Sequence, residues 1–110
     1  MAPRAALLAL HHALVEEERR EHEKTLGRLS GGEFLQALIS DPVFAWLRPL
    51  TTLIVRLDEA PDADVLAVAR RLFSEESEFR QRATALVQRS PEVAFAYAAA
   101  KNSVLSTKYL

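Results

Sequence analysis

Apolar residues recur at spacings of three and four along most of the chain, and no stretch alternates between polar and apolar positions. That periodicity predicts helices and no sheet. Leu7, His11, Leu14, Val15, Glu18, His22, Leu26 and Leu29 share one face of a helix expected from about Ala5 to Leu26. Its stripe is apolar only in the first half, because every residue from Glu16 to Lys24 except His22 is charged. Glu16/Arg20 at i,i+4, with Glu17/Arg20 and Glu21/Lys24 at i,i+3, support an exposed helix by about 0.2–0.5 kcal/mol each. This charged half is expected to project beyond the core.

Gly27 and then Ser30-Gly31-Gly32-Glu33 end that helix and begin a short one to about Ile39, with Ser30 and Glu33 spaced as a capping box. Asp41-Pro42 starts the next. Its stripe of Val43, Leu47, Leu50, Ile54 and Leu57 is widened by Phe44, Trp46, Leu53 and Val55, which marks it as the expected central helix. Pro49 predicts a kink near Arg48, or two short helices meeting there, with the Ala45 carbonyl left free. Beyond Asp62, a further cap, the run Val65, Val68, Leu72, Phe79, Ala83 and Leu86 keeps its phase through Arg89. One long helix bent at Ser74 is favoured over two broken there. Ser90-Pro91 opens a last, Ala-rich helix to about Ser106. The expected fold is all-α: a compact antiparallel bundle of about four main helices plus one short helix, the third kinked at proline, in a single domain over 1–110.

Composition narrows the chemistry. The 110 residues contain no Cys, which excludes disulfides, thiolate metal sites and a cysteine nucleophile. The three Gly fall within 27–32, so phosphate-loop and dinucleotide fingerprints are absent. Met1 to Leu10 begins like a signal peptide, but His11, His12 and Glu16-Glu17-Glu18 interrupt it, so it is read as helix. No run approaches the roughly 20 apolar residues of a membrane span. The net charge of −1 is made of acids and bases interleaved along the same segments, with no basic stripe. Neither nucleic acid nor membrane is expected as a partner.

Three constellations remain. His11, Glu18 and His22 stand on the first helix's stripe where apolar residues belong, and Glu18/His22 at i,i+4 is a spacing that can grip a metal ion. Such a site needs ligands from other helices, for which Asp58 and Glu76 are the candidates, with His12 the remaining imidazole. His11, Glu18 and His22 are the metal candidates, while no bound metal, no cofactor and no catalytic residue is expected. An enzyme would need a site assembled from distant residues, because Asp58-Glu59, the one adjacent carboxylate pair considered, points about 100° apart on a helix. Phe44, Trp46 and Arg48 gather residue types enriched at binding hot spots, although aromatic residues beside a kink also fill cores and Arg48 has Asp41 or Asp58 to pair with. The last helix is apolar on two sides, with Val93, Tyr97, Ala100 and Val104 on one and Phe95, Ala98 and Leu105 on the other. One of these must meet water in a lone bundle.

Asp41-Pro-Val-Phe-Ala-Trp-Leu-Arg-Pro-Leu50, continuing through Leu53-Ile54 to Asp58-Glu59, covers about a fifth of the chain and resembles a family of small, uncharacterised bacterial all-helical proteins. The resemblance implies a bacterial, cytoplasmic protein and carries no activity, ligand or catalytic residue. The function expected is a non-enzymatic protein–protein interaction module or homodimer, with Phe44, Trp46, Arg48, Phe95 and Leu105 as partner-binding candidates. The alternative is a bundle holding a metal ion or small ligand through its first helix.

Overall fold

Side-chain caps set most of the helix boundaries. In the computed structural model, which describes residues 2–60 and 62–107, α1 runs Pro3–Leu26 and ends at Gly27. Gly27 has φ +83°, a conformation that costs other residues about 1–2 kcal/mol. Ser30 accepts from the Glu33 amide and Glu33 accepts from the Ser30 amide, each at 3.2 Å, and this capping box opens α2 (Gly31–Ser40). Asp41 accepts from the Val43 amide and starts a 3₁₀ helix over Pro42–Leu47 that passes directly into α3 (Arg48–Glu59). Asp62, Ser77 and Ser90 cap α4 (Ala63–Ser74), α5 (Glu78–Val87) and α6 (Pro91–Ser106) in the same way. The fold is all-α, with six α-helices and the 3₁₀ helix and no strand among the described residues.

Three expectations are corrected. The long helix favoured across Ser74 is two helices. The Ser74 hydroxyl donates back to the Arg70 carbonyl at 2.8 Å, Glu75 leaves helical conformation, and Ser77 caps a new start. Phe73 and Phe79, on either side of the break, meet edge-on at 6.3 Å, and on α4 it is Ala69 and Phe73 that are fully buried while Val68 and Leu72 are only partly so. Two short helices meet near Arg48, the second of the two alternatives, with Pro49 in the first turn of α3 where its missing N–H is not needed; the Ala45 carbonyl, expected free, instead accepts from the Arg48 amide. The charged half of α1 does not stand clear of the fold. Arg19 lies over the Phe34 ring at 4.5 Å and the His22 ring meets that of Phe44 at 5.8 Å.

The most extensive helix pairing is α1 with α6, while the segment after Asp41 packs against α1, α2, α4 and α5. Leu7, Leu10 and Leu14 are wholly buried, and α6 presents Ala96, Ala100 and Ser103 among its buried residues, whose small side chains let two helix axes approach closely. At 24 residues α1 is about 36 Å long, which sets the 44 Å long dimension of the molecule. Aromatic contacts extend the core outward, from Trp46 to Phe79 at 5.9 Å, on to Phe73, and from there to Tyr97 at 5.3 Å. No single described helix is long and apolar enough to cross a membrane, and the apolar run from α2 into α3 is bent by 71°.

Candidate functional site

The polar residues of the α1 stripe and the aromatic group after Asp41, separate in sequence, form one seam. α1 and α3 run antiparallel, with Arg4 paired to Asp58 and His11 bonded to Thr51, two helical turns further along each. His11, Glu18 and His22 therefore look onto the 3₁₀ helix and α3. His11 Nε2 lies 3.0 Å from Thr51 Oγ1, and the Thr51 hydroxyl lies 3.2 Å from the Leu47 carbonyl. A carbonyl only accepts, so the single hydroxyl proton goes to Leu47 and His11 donates from Nε2. Burial, and secondarily the neighbouring His12, hold the His11 pKa below its ordinary value.

Further along the seam, the Trp46 indole N–H is buried with no acceptor in bonding geometry. Glu18 approaches it closely enough for the indole to favour its ionised form. Burial outweighs that pull, and outweighs the fields of Arg82 and Arg89 from the α5 side, so the Glu18 carboxyl titrates above the ordinary range. Among the described residues no three His, Asp or Glu side chains are grouped to hold a metal ion. His11 and His22 are about 16 Å apart along the α1 axis. Asp58 is held by Arg4, its carboxyl pKa lowered chiefly by that hydrogen bond, and Glu76 lies 3.8 Å from Arg80.

Of the partner-binding candidates, Phe44 and Trp46 are core residues, 2% and 4% exposed. The 3₁₀ turn rotates them inward onto His22, Phe34 and Phe79. Arg48, Phe95 and Leu105 are exposed. Arg48 pairs with neither expected carboxylate. Asp58 is taken by Arg4, Asp41 by the Val43 amide, and the Arg48 Nη2 reaches only the Ile39 carbonyl at 3.5 Å.

Arg48 stands at the mouth of a cleft of about 340 Å³ between α1, α2 and the 3₁₀–α3 junction. Leu38, Ile39, Phe44 and Leu47 supply its apolar walls, and His11, Thr51 and Thr52 its polar ones. Sequence reasoning missed Leu38, Ile39, Thr51 and Thr52. The available signal was the short helix itself: Phe34, Leu35, Leu38 and Ile39 make one broad apolar arc of about 140°, wider than one neighbouring element need cover. Leu35 and Ile39 are indeed mostly exposed. A second hollow, of about 400 Å³, is lined by Glu16, Arg19, Arg20, Glu23 and Arg28, of which Arg19 pairs with Glu23 at 3.0 Å inside the lining and Arg20 with Glu17 outside it at 2.8 Å.

The other exposed apolar surface is the outer face of α6. Val93, Tyr97, Ala100 and Val104 are buried, which leaves Phe95, Ala98 and Leu105 outside; Phe95 is 78% exposed. With Asn102 these residues follow a three–four–three spacing, that of a coiled-coil seam. No family model, curated protein or solved structure matches this chain.

Proposed function

We propose that this protein is a non-enzymatic helical interaction module that pairs with a second copy of itself through the outer face of α6. The observation that carries the reading is the exposed seam of Phe95, Ala98, Asn102 and Leu105. Its spacing reads the same in both directions about position 100. In an antiparallel pair related by a two-fold axis there, Phe95 of each copy meets Leu105 of the other, and Ala98 meets Asn102. Each layer sets a large side chain beside a smaller one, and the alanines permit close helix approach.

The seam is only about three turns long. Such a contact buries less than the ~1,200–2,000 Å² of a tight complex, so the dimer is expected to form in the micromolar range. The resemblance of Asp41–Glu59 to small bacterial helical proteins supports a bacterial cytoplasmic setting for it. Sedimentation equilibrium across roughly 1–100 µM tests the reading. Mass should rise with concentration toward twice the 12.3 kDa protomer; a monomer at every concentration overturns it.

A further inference from the structure

The cleft between α1, α2 and α3 shares none of its lining with the α6 seam, and it holds an unbalanced set of groups. Its one cation is the Arg48 guanidinium, exposed and with no carboxylate within 4.0 Å among the described residues. The long contact to the Ile39 carbonyl leaves most of its donors unused. His11 adds no charge near neutral pH, since its environment favours the neutral ring. Thr52, on the cleft wall, is exposed with its hydroxyl in no hydrogen bond among the described residues. Beside these polar groups lie the buried side chains of Phe44 and Leu47 and the rim residue Ile39, 63% exposed.

We infer that this cleft binds a small monocarboxylate with a short apolar body, the carboxylate on Arg48 and Thr52 and the body across Leu38, Ile39 and Leu47. A planar guanidinium fork with free donors matches a carboxylate in geometry as well as charge. One unpaired cation suits one negative charge and leaves a second without a partner. A volume near the lower edge of the ~300–1,000 Å³ usual for ligand sites limits the body to roughly ten non-hydrogen atoms. The apolar walls favour a hydrocarbon chain over a bare anion, because covering Ile39 removes apolar surface from water.

The test is a titration of the full chain with sodium octanoate, followed by backbone amide chemical shifts, against octanol as the uncharged match. Saturable shifts centred on Ile39, Arg48, Thr51 and Thr52 are expected, with a dissociation constant of about millimolar order. Octanol should bind about tenfold more weakly, and Arg48→Gln should weaken octanoate by a similar factor. Ile39→Asp, a second substitution at an exposed rim position, sets a like charge beside the carboxylate and should abolish saturation. Shifts that do not saturate, shifts centred on another face, equal binding of octanol, or undiminished binding by either variant overturn the inference. It stands apart from the dimer reading: a Phe95→Glu chain should keep its octanoate response whatever its mass in solution.

Discussion

The outer face of α6 and the cleft beside α1 are both exposed and both apolar, yet they differ in shape and in charge. The α6 face is a convex ridge on a regular helix, with Phe95 and Leu105 at its ends and no charged residue at its four seam positions. The cleft is concave, built by α1, α2, the 3₁₀ helix and α3, and contains a guanidinium without a counter-charge among the described residues. A ridge repeated at helical spacing complements another helix. A hollow with one polar anchor complements something small enough to enter it. Apolar exposure alone therefore does not define a function; the curvature and the unpaired polar groups around it do.

Both surfaces rest on the same aromatic core, so the largest effect should come from removing that common support. Phe73 is 1% exposed and touches both Phe79 and Tyr97. Phe73→Ala is expected to cost about 3–5 kcal/mol, measured by urea unfolding, and to impair ridge and cleft together. Phe95→Glu should separate them. Placing a charge on the seam should weaken self-association at least tenfold by sedimentation, while stability stays within about 0.5 kcal/mol of the parent because the site is exposed.

Ser90 is 5% exposed and accepts from the Val93 amide at 3.2 Å. Ser90→Ala should cost about 1 kcal/mol through α6, with the octanoate response of the cleft retained.

The smallest effect concerns the seam between the two surfaces. Burial raises the Glu18 pKa above its ordinary value, so the folded chain holds this proton more tightly than the unfolded chain. Its contribution to stability is present at low pH and is lost as pH rises through the folded value. Glu18→Gln should therefore gain stability relative to the parent at neutral pH, with the gap closing on acidification toward the ordinary glutamate range. Fluorescence of the single Trp46, which Glu18 faces, reports both melts. Carboxyls such as Asp58 and Glu33, held below their ordinary values by hydrogen bonds from Arg4 and from the Ser30 amide, act in the opposite sense. Their contribution is lost as pH falls.

Much of this architecture was legible from residues close together in the chain. Ser30 with Glu33, Asp41 with Pro42, Asp62, and Ser90 with Pro91 are local devices, and each begins a helix where its spacing says it should. The two-sided pattern of α6 was legible for the same reason, as face follows directly from position along a helix. Ser77 was passed over because a stripe that keeps its phase across a break looks unbroken in one dimension. The partnership of His11 with Thr51, and of Glu18 with Trp46, was illegible: each joins residues 28 to 40 positions apart.

By itself, then, the sequence determined an all-helical chain, nearly all of its helix starts, and the presence of polar residues on the buried stripe of α1. Tertiary structure decided that α1 pairs with α6, that Phe44 and Trp46 turn inward while Arg48 stays out, and that Leu38, Ile39, Thr51 and Thr52 enclose a cleft. The physical reason is one of range. Periodicity and caps act over three or four residues and assign each side chain to a face, whereas the partner of that face depends on side-chain volumes across the whole core.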